Sequence, residues 1–302
     1  MPFGLHRRSA SSPSRSKLVR LSLERLEARE LLSTSAVLWR DYGPYGGWAT
    51  GLSNFTAAGK LLYFSGELAG DGQSSGLWRS DGTTAGTFEL GSGEGWVNVG
   101  STLFFARYAS ALPIGLLRSE LWKTDGTPAG TMMVTDIAPQ SMANVDGTLF
   151  FSANDGQLWR SDGTASGTTL VADLNAGQSP GQQLWALRDL TNVNGRLFFL
   201  AGPTSAPSAA HGNQLWESDG TPSGTHLVAN LDSDGLNDYY DSFVALGNTL
   251  FFAENDQQKS ELWRSDGTAA GTAVLHHFQA DLGQSAVTDL VPVGNTLFFV
   301  GG

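Results

Sequence analysis

A chain of 302 residues is long enough to bury a large hydrophobic core, and a single all-β domain of about 250 residues is ordinary. The absence of cysteine excludes a disulfide framework and any cysteine-based metal or nucleophile chemistry. With 18 Lys and Arg against 29 Asp and Glu, the formal net charge of -11 argues against a nucleic-acid partner for the folded part.

The charge is divided unevenly. Residues 1–32 carry Arg7, Arg8, Arg15, Lys17, Arg20, Arg25 and Arg29 against Glu24, Glu27 and Glu30, a net of +4 that leaves -15 for the remainder. Residues 7–17, rich in Ser and Arg, are predicted to be disordered. Leu18 to Leu32 reads as a basic amphipathic helix with Leu23, Leu26 and Leu31 among its apolar positions. No uninterrupted apolar stretch follows the positive charges, so the segment is not an ordinary secretory signal; no run of about 20 apolar residues exists for a membrane span. By composition alone, an organelle transit peptide and a solvated helix both remain open. Residues 1–35 are therefore separate from a repeat domain over 36–302.

Five near-copies of one phrase dominate that domain: GLWRSDGTTAGT from Gly76, ELWKTDGTPAGT from Glu120, QLWRSDGTASGT from Gln157, QLWESDGTPSGT from Gln214 and ELWRSDGTAAGT from Glu261. A second phrase interleaves with it, LLYF at Leu61, TLFF at Thr102 and Thr148, RLFF at Arg196, and TLFF at Thr249 and Thr296. Its leucines Leu62, Leu103, Leu149, Leu197, Leu250 and Leu297 are spaced 41, 46, 48, 53 and 47 residues apart. Such a period belongs to solenoids and propellers. Within a unit, an Asp-Gly or Gly-Asn pair, as at Asp146-Gly147 and Gly294-Asn295, forms a two-residue hairpin turn. The Leu-Phe-Phe strand that follows is aromatic enough to be buried on both faces, and Leu-Trp opens the next strand. Ser/Thr-Asp-Gly-Thr ends that strand, the Asp accepting backbone N–H groups, and a fourth apolar strand follows. Four short antiparallel strands per unit of about 45 residues describe a β-propeller blade.

Trp78, Trp122, Trp159, Trp216 and Trp263 hold one equivalent position per unit. They are either aromatic platforms for sugars or rings packed between adjacent blades, and repetition in every blade favours packing. Asp81, Asp125, Asp162, Asp219 and Asp266 are likewise repeated, which favours turn chemistry over catalysis. The chain stops two strands into a sixth unit, while Val37-Leu38-Trp39-Arg40-Asp41 is a degenerate Leu-Trp phrase near its start. With that phrase as third strand and a segment near Trp48–Leu52 as fourth, N- and C-terminal strands would close a six-bladed ring and remove exposed sheet edges. A ring closed by one chain is expected to be a monomer.

Function in a repeat fold lies where the repeats differ. The longest insertions run from Gly202 to Asn213 and from Asp173 to Asp189. The most polar is the segment carrying Asp232, Asp234, Asp238, Tyr239, Tyr240 and Asp241, whose oxygens could hold Ca²⁺ or grip a sugar. Its spacing fails the twelve-residue calcium-loop pattern, and a solvated acidic loop is the plainer reading. His276 and His277 sit at a strand end, with His211 and His226 far away in sequence, and no metal-binding spacing links them.

Two stretches resemble known families. Leu26-Glu27-Ala28-Arg29-Glu30-Leu31-Leu32-Ser33 resembles the LEPR-XLL segment near the start of large exported or surface proteins of certain bacteria, with Ala28 in place of its Pro. This resemblance implies an N-terminal targeting role and an extracytoplasmic, secreted or cell-surface destination. The repeats are similar to the ELWxxDGT repeat family, Glu120 to Thr127 and Glu261 to Thr268 matching in full, while Gly76, Gln157 and Gln214 replace the leading Glu. That similarity covers most of residues 60–302 and implies a propeller-like domain of surface proteins with no established catalytic residues.

Three function classes follow. The first is a non-catalytic binding or adhesion scaffold for a protein or polysaccharide, without a cofactor. The second is a polysaccharide hydrolase or lyase with a central-cleft site, for which Asp189, Glu254 and Asp256, read as loop residues, are available carboxylates. The third is a purely structural surface-assembly module. A polar channel with non-repeated carboxylates would favour the enzyme, and exposed aromatics on one rim would favour binding.

Overall fold

The computed structural model describes residues 49–68, 76–108, 119–154, 156–177, 185–203, 214–231, 239–255, 259–279 and 287–301. The basic N-terminal segment and Val37–Asp41 lie outside them. Among the described residues every regular element is a strand, and no helix is long and apolar enough to cross a membrane.

Each repeat folds as an antiparallel meander. The first sheet takes β1 (Ala49–Ala58), β2 (Leu61–Leu68), β3 (Gly76–Ser80) and β4 (Phe88–Ser92) in order. The second takes β5 (Glu94–Val99), β6 (Thr102–Tyr108), β7 (Ser119–Thr124) and β8 (Met132–Thr135), and the third β9 (Met142–Val145), β10 (Thr148–Ala153), β11 (Gln157–Ser161) and β12 (Thr169–Asp173). The fourth holds β13 (Trp185–Val193), β14 (Arg196–Pro203), β15 (Gln214–Ser218) and β16 (His226–Asn230). The fifth holds β17 (Tyr239–Leu246), β18 (Thr249–Asn255), β19 (Lys259–Ser265) and β20 (Ala273–Gln279). A hairpin of β21 (Val287–Val293) and β22 (Thr296–Gly301) ends the series. The first strands of consecutive sheets touch in sequence, β1 on β5, β5 on β9, β9 on β13, β13 on β17 and β17 on β21.

This is the expected all-β, propeller-like arrangement, but it forms no closed ring among the described residues. Among the described residues the hairpin β21–β22 pairs with no third strand. Residues 49–52, expected to complete a sixth blade, instead open β1, where Ala49 pairs with Leu68 and Thr50 with Glu67. The physical reason is local: β1 is joined to β2 by a tight turn with Gly59 at φ 61, which fixes its register within the first sheet.

The Leu-Phe-Phe strands of the second to fifth sheets are buried on both faces, as their composition predicts, whereas Phe298 and Phe299 of the final hairpin are exposed. Leu149 and Phe151 join Phe104 and Leu121 in the cluster between the second and third sheets. Phe150 points the other way, into the cluster formed with Leu197 and Phe199 of the fourth sheet. Alternation along one strand thus supplies both neighbouring interfaces. Each Trp of the Leu-Trp strand is half-buried against one of these clusters or its own sheet. Trp78, Trp159, Trp216 and Trp263 stack on the cross-strand Phe64, Phe151, Phe199 and Phe252 with centroids 5.9–6.4 Å apart.

The residue two places before each Trp explains the leading Glu or Gln of the repeat. The indole N–H donates to Glu120 Oε2 at 2.9 Å, Gln157 Oε1 at 3.1 Å, Gln214 Oε1 at 3.1 Å and Glu261 Oε2 at 3.2 Å. Where Gly76 offers no side chain, Trp78 donates to the Gly66 carbonyl at 3.2 Å. A half-buried N–H needs an acceptor, and an amide serves as well as a carboxylate.

Every polar position of the Ser-Asp-Gly-Thr turn is used. In the third sheet, Asp162 Oδ1 accepts the Thr164 N–H at 2.8 Å and the Thr164 hydroxyl at 2.7 Å, and Thr164 Oγ1 accepts the Gly167 N–H at 2.9 Å. Thr168 donates its hydroxyl proton to the Thr164 carbonyl, so Ser161 must donate in the 2.8 Å Ser161–Thr168 contact while accepting the Gly163 N–H. The same network recurs around Asp81, Asp125, Asp219 and Asp266. Gly167 and its equivalents are glycine because an added Cβ would overlap the Asp carboxylate.

The turn also locks one sheet to the next. Gly220 lies at φ 87, and a Cβ there would stand 2.8 Å from Phe150 Cζ of the preceding sheet; Gly163 meets Phe104 in the same way. Arg160 adds a hydrogen bond to the Gly220 carbonyl at 3.3 Å. In the next seam Arg196 pairs with Glu217 at 3.1 Å and donates to the Asp266 carbonyl at 3.1 Å.

Gly220→Ala should therefore lower the unfolding free energy by about 2–5 kcal/mol, combining left-handed strain with overpacking. Gly247→Ala, at φ 62 with nothing within 4 Å of the added methyl, should incur only the strain. Urea titrations compare the two, and equal losses would exclude the turn from the seam. The Asp162 carboxyl is held below its ordinary range by the Thr164 hydroxyl first and the Thr164 N–H second. A depressed folded value contributes stability that is present above the unfolded carboxyl pKa and lost as pH falls through the folded one. Asp162→Asn should therefore lower stability at pH 7 and flatten its decline as pH falls below the ordinary carboxyl pKa, read by denaturant titration across the acid range; an unaltered acid limb would contradict this.

Candidate functional site

Strand direction sorts the connections of the sheets into two ends. The β1–β2 type of hairpin turn and the Asp-Gly-Thr turn both close at one end, and these are short and alike from sheet to sheet. The connections between second and third strands, and those from each sheet to the next, anchor at the opposite end. Those connections are where the repeats differ in length and composition, so the loop end carries the individuality of the chain. At the turn end, a groove of about 190 Å³ lined by Phe104, Lys123, Asp162 and Gly163 follows the seam between sheets and belongs to the repeated architecture.

The residues singled out in the sequence divide between the two ends. The repeated Asp81, Asp125, Asp162, Asp219 and Asp266 sit in the turns, at the far end from the variable connections. Asp232, Asp234 and Asp238 lie outside the described residues, as does Asp256. Tyr239 opens β17, and Tyr240 beside it is buried, its ring tilted on Phe252 at 6.0 Å. Tyr240 is therefore a core residue and not a surface ligand for sugar or Ca²⁺. Its apolar neighbours Phe252 and Leu250 draw the ring inward at the start of the strand.

Three further expectations are corrected. Asp189 and Glu254 are strand residues, not loop residues: Asp189 occupies a bulge of β13 at φ 57, salt-bridged to Arg188 at 3.6 Å, and Glu254 lies in β18. His276 and His277 sit within β20 and not at its end, because the alternation of Ala273–Gln279 extends the strand past them. His277 Nδ1 lies 2.7 Å from Glu261 Oε1, and His276 meets Phe278 edge-on at 4.5 Å. Among the described residues no group of His, Asp and Glu is arranged to hold a metal.

One cross-strand row at the loop end departs from the repeat. Its pairs are Gly66 with Gly76, Arg107 with Glu120, Ala153 with Gln157, Ala201 with Gln214, and Glu254 with Glu261. Two units thus place charge where the others place small or neutral side chains. Glu254 is fully buried and Glu261 nearly so, at 0% and 6% exposure. Two carboxylates shut away from solvent cannot reach a glycosidic bond, which removes this pair as an acid/base couple on a bound chain. Sequence reading missed Arg107, although aligning the fifth residue of the Leu-Phe-Phe phrase, counted from its Leu, across the units sets Arg107 and Glu254 apart from Gly66, Ala153 and Ala201.

Arg107 opens onto a cleft of about 400 Å³ between the first and second sheets. Ser53 and Asn54 of β1, Ser65 of β2, the Ser92-Gly93-Glu94 crossover, Trp96, and Ala106 to Tyr108 line it. Asn54 at φ 55 and Gly95 at φ 55 mark β-bulges in β1 and β5, which open the strands where they border the cleft. Trp96 is fixed across the sheets, donating to the Asn54 carbonyl at 3.2 Å and to Thr56 Oγ1 at 3.1 Å. Tyr108 is 47% exposed at the rim, and its phenol is pushed up by donating to Glu94 and by the charge of that carboxylate. The Arg107 guanidinium lies 4.6 Å from the Trp122 ring centroid. A cation, a carboxylate, hydroxyls and two aromatic rings therefore meet in one open concavity.

No family model matches the chain, and no curated protein matches it. Solved structures share its fold. One, from a structural and mechanistic analysis of two prolyl endopeptidases, superposes at a TM-score of 0.55 with 14% identity over 82% of this chain and 38% of its own. Prolyl oligopeptidase B from Galerina marginata superposes at 0.53 with 12% identity, over 80% of this chain and 40% of its own. The xyloglucanase from Xanthomonas campestris reaches 0.45 with 14% identity, over 72% and 36%. The chain thus spans well under half the length of each. At such identity the likeness of the two peptidases extends to the fold, and it places this chain among propeller-like all-β structures.

Proposed function

We propose that the chain is a non-catalytic, extracytoplasmic repeat scaffold that binds a protein or polysaccharide at the loop end of its sheets. The observation that carries this reading is the contrast between the ends. One is built from near-identical turns, while the other anchors the variable connections and holds, between the first two sheets, an open cleft rimmed by Tyr108. The resemblance of the repeats to ELWxxDGT proteins and of Leu26–Ser33 to the LEPR-XLL segment supports a surface or secreted destination. Burial of Glu254 removes one of the carboxylates available to the polysaccharide hydrolase or lyase alternative.

The same proposal includes a six-bladed ring, with Val37–Asp41 adding a third strand to the last hairpin. Gly126, Gly163 and Gly220 are buried against Tyr63, Phe104 and Phe150 of the preceding sheet, whereas Gly82 in the first sheet is exposed. Phe298, at the equivalent place in the final hairpin, is 57% exposed. Gly82 and Phe298 are the two unmatched halves of one repeated contact. Leu52 and Phe55 on the first sheet and Val291, Val293 and Val300 on the hairpin are also exposed, at the two flanks that closure would join.

Retention of the purified chain on a panel of polysaccharides and cell-envelope fractions, with and without Ca²⁺, tests the binding reading. Saturable retention without released sugar is expected; released product would make the chain an enzyme, and no retention would turn it into an assembly module. Closure is tested separately in this cysteine-free chain by Thr84→Cys with Thr296→Cys and a short thiol cross-linker. An intramolecular link is expected, as in the control pair Thr102→Cys with Ala165→Cys across an existing seam. A link in the control pair alone would reject the ring.

A further inference from the structure

Resting on that binding reading, the cleft between the first two sheets also indicates what kind of ligand it takes. We propose that it binds the carboxylate of an acidic sugar residue, with Arg107 as the group that pairs with it. Among the described residues the Arg107 guanidinium forms no hydrogen bond and no ion pair. Its one ring partner is Trp122, at 4.6 Å from the centroid. The carboxylate across the strand, Glu120, is engaged by the Trp122 indole N–H at 2.9 Å. A guanidinium is charged at any physiological pH and presents five donors in a planar fork that matches a carboxylate. Contact with the Trp122 ring restrains the guanidinium before a ligand arrives, so less side-chain freedom remains to be lost on binding.

The surroundings favour a sugar over an acidic peptide. Glu94, Asn54 and the Ser53–Ser65 hydroxyl pair, 2.7 Å apart, offer acceptors and donors side by side, which suits hydroxyl groups that both give and take protons. Glu94 already accepts from Tyr108 and keeps lone pairs for a ligand hydroxyl. Trp96 and Tyr108 supply the apolar surface on which a pyranose face rests. The same Glu94 disfavours a doubly charged phosphate beside Arg107, whereas a single carboxylate is matched by one guanidinium. The net charge of the repeat domain repels polyanions at long range, but it is screened beyond about 8 Å at physiological salt. The site therefore suits a polymer with occasional acidic residues among neutral ones.

Isothermal titration of the full chain tests this with a xylo-oligosaccharide carrying one glucuronate, its methyl ester, the neutral oligosaccharide and tetraglutamate. The acid should bind, and esterification should weaken binding roughly 10- to 100-fold, the range for a lost charge-assisted pair. Arg107→Ala should weaken the acid by a similar factor and leave the ester unchanged, so that the variant no longer distinguishes the two. The third and fourth sheets carry Ala153 and Ala201 at the same position, so the variant should fold, and thermal unfolding checks that it does. Equal binding of acid and ester by the native chain, undiminished acid binding by Arg107→Ala, or a preference for tetraglutamate would each overturn the proposal. Retention of neutral polysaccharide with no acid preference would overturn it while leaving the binding reading intact. No binding of any sugar or envelope fraction would remove both.

Discussion

Each sheet after the first meets the one before it at a turn glycine where an added side chain would crowd the preceding sheet. The Asp-Gly-Thr turn needs a left-handed residue after the Asp, and at Gly163 and Gly220 the same atom must clear an aromatic ring of the preceding sheet. Two requirements, one of the backbone and one of packing, fall on one position. The hydroxyl and carboxylate network of the turn then fixes the angle at which that glycine meets its neighbour. Geometry set locally, within twelve residues, thereby dictates how successive sheets stack.

The hydrophobic interfaces depend on this alignment. Because strand residues alternate, Phe150 can enter one cluster and Phe151 the other only if each sheet is presented face-on to both neighbours. A shift of one residue would exchange the two faces and unpair every cluster. The Trp rings reinforce the register from the third strand, four of the five carrying their N–H acceptor two residues upstream. Half-buried indoles tolerate this design because one edge is satisfied by Glu or Gln while the face stacks on Phe.

Much of the fold was legible in the sequence because its causes are local. Asp146-Gly147, Asn194-Gly195 and the five Asp-Gly-Thr turns have positive-φ geometry that only a few residue types allow, so they announce themselves. The Leu-Phe-Phe strands announce burial in the same way. The start of β1 was misassigned because residues 49–58 lack any aromatic-rich phrase, and only pairing with β2 defines them. The candidate site was hardly legible. Tyr240 looked like a surface group because a polar loop precedes it, and burial is decided by Phe252 across the sheet. Arg107 and Trp122 are far apart in sequence terms, and their meeting depends on a strand register that no local signal encodes.

The row holding Gly66, Arg107, Ala153, Ala201 and Glu254 has a consequence for how such a chain acquires new specificity. The backbone pairing at this row is the same in every unit, but the burial is not: Ala153 and Ala201 belong to the clusters between sheets and Glu254 is fully buried, whereas Arg107 opens onto a cleft. Exchanging Arg107 therefore alters the chemistry of one sector without touching the turns at the opposite end. A row constant in backbone and variable in burial thus supplies packing in some units and an exchangeable slot in another.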